Sequence, residues 1–153
     1  MATDSDAYVA IERLQRAYAD MASRSAWDEV PSLLTPDAHI TFDTRSGPAT
    51  EIHGSVQFGE FGAMMQGVFA FYEYIPLNFV VTFETGGTAR GRTYSLEVAE
   101  AATSGEWMEF YGTYDDEYAL HEGTWRFFRR HYRTYGRRTS GRLEAYPLPW
   151  QRP

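Results

Sequence analysis

The chain has 153 residues, a length that fits one domain with one hydrophobic core, and its lack of cysteine excludes disulfides, thiolate nucleophiles and cysteine metal sites. A formal net charge of −7 argues against nucleic acid or an anionic membrane as a default partner. Aromatic residues reach 16%, chiefly eleven Tyr and ten Phe, enough to pack a core and also line a pocket for a flat apolar ligand.

The segment from Met1 to Asp6 is polar and acidic, unlike a signal peptide, and no apolar run is long enough to span a bilayer. A cytoplasmic protein is expected. Asp4, Ser5 and Asp6 offer helix N-caps, and Tyr8, Ile11, Leu14, Tyr18 and Met21 then recur at helical spacing. After Ser23-Arg24-Ser25 a second short helix carries Trp27, Val30, Leu33 and Leu34, with Pro31 in its first turns and Thr35-Pro36-Asp37 ending it. His39 to Asp43 alternates as a strand, and Arg45 to Thr50 reads as a loop. Gly54 to Tyr72 reads as a third helix with Val56, Met64, Met65, Val68 and Phe69 inward.

From Tyr74 onward the period falls to two. Strands are expected over Pro76 to Phe83, Arg90 to Ala101, Trp107 to Leu120 and Thr124 to Tyr135. They are separated by turns at Glu84-Thr85-Gly86-Gly87, Thr103-Ser104-Gly105 and His121-Glu122-Gly123. The domain is expected over residues 1–136, with an irregular tail over 137–153. Helices followed by an antiparallel meander predict an α+β fold, its helices on one face of a bent sheet around one pocket.

Three segments carry a family resemblance. The first runs from Ile11-Glu12-Arg13-Leu14 through Ala26-Trp27-Asp28 to Pro36-Asp37-Ala38. The second is Asn78 at the start of a long strand. The third and most specific is Gly112-Thr113-Tyr114-Asp115-Asp116-Glu117-Tyr118 followed by Glu122-Gly123-Thr124-Trp125-Arg126-Phe127. Together they resemble the SnoaL-like and scytalone dehydratase-like branch of the nuclear transport factor 2-like superfamily. The hairpin is also similar to that of hexachlorocyclohexane dehydrochlorinase. The resemblance implies a cone: N-terminal helices packed on a strongly curved antiparallel sheet. Dehydratase-like members use an Asp–His pair, the His as general base. Here the matching positions are Ser23 and Tyr74, so that pair is missing as a unit.

By similarity, Tyr18, Ala19, Ala22 and Ser23 face the cavity from the first helix, and Ile40 and Phe42 from the short strand. Ser95 and Glu97, then Phe110, Gly112 and Tyr114, then Phe128 and Arg130 do so from the meander. This implies a substrate-binding set of Tyr18, Ala22, Ser23, Ile40, Phe42, Ser95, Phe110 and Phe128. The candidate catalytic set is Tyr74, Glu97, Arg130 and Tyr114. Glu97 is a carboxylate acid or base, and Arg130 is its expected ion-pair partner or an oxyanion binder. Tyr74, with a phenol pKa near 10, is a hydrogen-bond donor rather than a base.

His39, His53, His121 and His131 match no metal motif in their spacing, and each is expected to be structural or exposed. The run Asp115-Asp116-Glu117 is read as a solvated face. No glycine-rich phosphate loop follows a strand, so no cofactor is expected. Arg126, Arg129, Arg130, Arg133, Arg137 and Arg138 imply a dimer interface or a positive pocket rim rather than nucleic acid.

Two function classes follow. One is a cofactor-free cyclase, isomerase or lyase acting on a bulky hydrophobic oxygenated molecule of polyketide, terpenoid or steroid type. The other is a non-catalytic binding protein for a hydrophobic small molecule. Epoxide hydrolysis, which needs an Asp, Arg and Asp set around a water, ranks third. A homodimer is expected.

Overall fold

A computed structural model describes residues 4–148. The first three residues of the polar N-terminal segment and residues 149–153 of the tail lie outside the described residues.

Helix α1 (Asp4–Ser23) buries Ile11, Leu14, Tyr18 and Met21 as the helical spacing requires, whereas Tyr8 stays exposed. A single 3₁₀ turn (Trp27–Glu29) leads into α2 (Val30–Leu33), with Pro31 in its first turn. Strand β1 (Leu34–Asp43) begins five residues before the expected start at His39. Thr35-Pro36-Asp37 therefore lies inside a strand, where the residue before a proline is biased to extended backbone anyway.

Strand β2 (Thr50–His53) starts on the last residue of the expected loop and fills the gap before the third helix, and it pairs antiparallel with β1. Helix α3 (Ser55–Met65) is shorter than expected and turns a different face inward. Phe58 and Gly62 are buried, while Val56, Met64 and Val68 are exposed. A Cβ on Gly62 would come within 2.2 Å of the Trp27 indole, so this helical glycine admits a ring.

Four long strands follow: β3 (Phe69–Phe83), β4 (Thr88–Ala101), β5 (Trp107–His121) and β6 (Thr124–Thr139). The stretch from Phe69 to Tyr72 is thus strand rather than helix. The segment beyond 136 is not irregular throughout: β6 runs on to Thr139, and β7 (Arg142–Ala145) pairs back on it.

The sheet order is β2-β1-β6-β5-β4-β3, with β7 also paired to β6. It is mixed rather than wholly antiparallel, because β1 lies parallel to β6. The sheet does not close on itself, since β2 and β3 end the path. Helix α1 packs on β3 and β6, so one sheet face and the helices share a single core. That core runs from Ile11 and Leu34 through Phe58 to Tyr74, Tyr114, Tyr118, Phe127 and Tyr132. No helix is long and apolar enough to cross a membrane among the described residues.

Candidate active site

Arg130 sits at the centre of the core with a fully buried side chain, and its Nε donates to Asp116 Oδ1 at 2.8 Å. Its Nη2 donates to Asp116 Oδ2 at 3.2 Å, closing a two-point ion pair. Its guanidinium carbon lies 4.0 Å from the Tyr18 and Phe127 ring centroids and 4.2 Å from that of Tyr114. Ring faces favour a desolvated cation. Burial works against the charge, but Asp116 and the surrounding phenols outweigh it and the pKa is raised.

The expected pairing of Arg130 with Glu97 is therefore corrected: Asp116 is the partner. Asp116 is not part of a solvated face, as the acidic run suggests, but only 2% exposed. Gln15 supports it, its Nε2 donating 2.8 Å to Asp116 Oδ2 and 2.6 Å to Tyr118 Oη.

Glu97 does face the interior and retains partial exposure. Tyr72 Oη donates to its Oε2 at 2.9 Å and Tyr114 Oη to its Oε1 at 3.1 Å. Burial raises its pKa, while the two phenols and Arg130 pull it back down. Phe110 stands across from it on β5, partly buried. Tyr114 joins the two charged groups, since it hydrogen-bonds Glu97 and carries Arg130 on its ring.

The two positions of the missing pair do meet. Tyr74 N–H donates to Ser23 Oγ at 3.1 Å, which in turn contacts the Tyr74 carbonyl at 3.4 Å. Ser23 thus ties the end of α1 to β3 through backbone. The Tyr74 ring meets Tyr18 edge-on at 5.5 Å and Tyr114 at 5.7 Å. Burial raises its pKa, and that of Tyr18 is pushed up to about 12, so both phenols remain proton donors.

Among the described residues, Tyr74 Oη and Arg130 Nη1 are buried without a hydrogen-bond partner. A buried donor left unpaired costs about 1–3 kcal/mol, and these two lie around the same pair of rings, Tyr18 and Tyr114. Ser95 is fully buried on the same sheet face, also with an unpartnered oxygen.

Ala22, Ile40 and Tyr18 lie in the core and Phe42 packs against it. Phe128 does not belong to that set. The β5–β6 register slips between Tyr118↔Phe127 and Glu117↔Arg129, leaving Phe128 as the extra residue of a bulge and placing Phe127 inward. The missed residues, then, are Asp116, Gln15, Tyr72 and Phe127. Alternation from Phe110, Gly112 and Tyr114 points to Asp116; no sequence signal marks the bulge.

A separate cleft of about 490 Å³ lies on the outer sheet face, lined in part by Arg92, Asp115, Glu117, Arg129 and His131. Its charges satisfy one another, with Arg92 2.9 Å from Asp115 and Arg129 3.4 Å from Glu117. The C-terminal arginines follow the same pattern, Arg137 pairing with Glu144 and Arg138 approaching Glu109. The interior remains the candidate site.

A family model described as SnoaL-like domain matches residues 3–131. A protein from Novosphingobium aromaticivorans named after scytalone dehydratase superposes with a TM-score of 0.83 at 19% identity, over 97% of each chain. Hexachlorocyclohexane dehydrochlorinase LinA-type3 from Novosphingobium barchaimii LL02 gives 0.77 at 14% identity, over 93% of this chain and 95% of that one. A second N. aromaticivorans protein, named for an aromatic ring hydroxylase, gives 0.75 at 23% identity, over 95% of this chain and 96% of that one. These likenesses establish fold and leave the reaction open. A search of curated proteins finds no match.

Proposed function

The chain belongs to the SnoaL-like domain family, and on that premise we propose that it is a cofactor-free enzyme. Its substrate is a bulky hydrophobic molecule bearing a carbonyl, and the reaction class is isomerisation, cyclisation or elimination. The observation that carries this reading is the pair of unpartnered buried donors, Arg130 Nη1 and Tyr74 Oη, beside a carboxylate of raised pKa. The family's small-molecule enzymes, to judge by relatives named after dehydratase and dehydrochlorinase, are consistent with it.

In this mechanism the substrate oxygen accepts hydrogen bonds from Arg130 and Tyr74. Glu97 takes a proton from the carbon beside the carbonyl, and the electron pair moves onto the oxygen. The resulting enolate is stabilised by two donors fixed in a water-poor site. Glu97 then returns its proton to another carbon, giving isomerisation. Alternatively, the enolate expels a leaving group from the neighbouring carbon or attacks a second carbonyl within the confined molecule. Tyr72 and Tyr114 hold the carboxylate in place. Tyr18, Ala22, Ile40, Phe42 and Phe110 supply apolar walls, and Ser23 and Ser95 contribute polar atoms.

The test is turnover of a panel of cyclic ketones and enones, followed by proton exchange at the α-carbon. Glu97→Gln should abolish exchange, and Tyr74→Phe should slow it about 10²-fold. Wild-type exchange rates in both variants would reject the assignment. Saturable ligand binding with no exchange in the wild type would favour the non-catalytic binding protein instead.

One observation favours a second reading. Glu97 and Asp116 are two inward carboxylates interacting with the same Arg130, an acid–Arg–acid set of the kind epoxide hydrolysis needs. Incorporation of solvent ¹⁸O into a diol product would select that chemistry. A homodimer is also proposed, because Phe71, Leu77, Val80 and Trp107 are exposed on β3 and β5. A light-scattering mass of one chain would remove it.

A further inference from the structure

On the outer face of the sheet, far from the aromatic interior in chemistry, three ligating side chains converge at the β1–β2 edge. His39 and His53 are direct cross-strand partners in the antiparallel register. Their imidazole rings stack with centroids 4.5 Å apart and 11° between planes. Glu51 lies two residues before His53 on the same face of β2, and its carboxylate contacts His39 Nε2. One potential ligand atom from each of the three residues falls within 4.8 Å of the others.

We propose that His39, His53 and Glu51 form a binding site for a borderline divalent transition metal of the zinc, cobalt or nickel class, clipping edge strand β2 to β1. Two imidazoles and one carboxylate are the donor set such ions favour over magnesium or calcium. Zinc bonds to nitrogen and oxygen run about 2.0–2.2 Å, so two donors on one ion lie at most about 4.4 Å apart. The cluster approaches that spacing. Turning exposed side chains about their own torsions closes the remainder, because His53 and Glu51 face solvent.

The surroundings fit. Thr41 Oγ1 donates to Glu51 Oε2 at 3.0 Å, the kind of supporting hydrogen bond that orients a ligating carboxylate. Arg129, the nearest cation by register on β6, is engaged by Glu117. Exposure of the cluster leaves the remaining coordination positions open to water. The linear spacing of the histidines hides this site, since it is assembled by a strand pairing.

The test is calorimetric titration of tag-free protein with zinc chloride in a non-chelating buffer slightly above neutral pH. One equivalent should bind and raise the melting temperature. His53→Ala and Glu51→Gln should each weaken binding about tenfold or more and abolish the thermal shift. His121→Ala, at a half-buried histidine that ends strand β5, should bind as wild type. Circular dichroism checks that the substituted proteins are folded. No binding at millimolar zinc, or wild-type affinity in His53→Ala, would overturn the proposal.

Discussion

Asp116 and Glu97 carry opposite assignments in the same compartment. Asp116 compensates Arg130; both side chains are fully buried. Removing one partner of a buried pair leaves the other charge stranded, which costs about 3–5 kcal/mol. Asp116→Asn should therefore lose about that much stability in urea denaturation, whereas an exposed change such as Glu12→Gln should lose almost none. A near-neutral Asp116→Asn would mean that the guanidinium has another partner. Glu97 behaves oppositely. Its folded pKa is raised above the ordinary 4.5, so the folded state binds its proton more tightly than the unfolded chain does. That contribution is complete below about pH 4.5 and fades as pH rises through the raised value. Glu97→Gln should raise the melting temperature at pH 7 and flatten its decline with pH, while proton exchange is lost. Activity should rise across that same window as the base ionises, and a pH-independent rate would contradict the assignment. The inward side of Glu97 was readable from strand alternation. Asp116 was equally readable, because it continues the series Phe110, Gly112 and Tyr114; the acidic run around it disguised a buried member as part of a solvated face.

Strand β5 also shows why glycine sits where it does. A Cβ on Gly112 would meet the Tyr132 ring at 2.1 Å, and Tyr132 in turn packs on Tyr114 with centroids 4.9 Å apart. Gly112→Ala should push that ring off its place and destabilise the fold by about 1–3 kcal/mol. It should also perturb catalysis through Tyr114, so kcat should fall along with the melting temperature. A fully stable and active Gly112→Ala would show that the ring has room to shift. At this scale the long strands were legible from period two, and α1 from its apolar spacing. The boundaries around α3 were not, because the apolar segment at 64–72 fits a helix or a strand equally well in isolation. Strand β2 was hidden for a related reason: Thr50–His53 is short, and only Ile52 is buried, leaving no alternation to see. The bulge at Phe128 depends on how β5 and β6 pair, which local sequence does not encode.

At the scale of the whole molecule, the sheet runs on past the span that the family model matches. The family model stops at residue 131, and the site residues all lie within that span. Strand β7 pairs only with the last residues of β6, and all four of its residues are exposed. Its ion pair, Arg137 with Glu144 at 2.8 Å, is also on the surface and contributes little. Leu148 is the exception, being buried, so the segment is anchored as well as paired. Truncation after Ser140 should therefore lower the melting temperature by several degrees, since about 1 kcal/mol moves a chain of this size by roughly 2–4 °C. Proton exchange at saturating substrate should persist, because Arg130, Asp116 and Glu97 keep their partners. Loss of exchange in a truncated chain that still melts cooperatively would place the C-terminal segment in the site itself and move the functional boundary beyond residue 136.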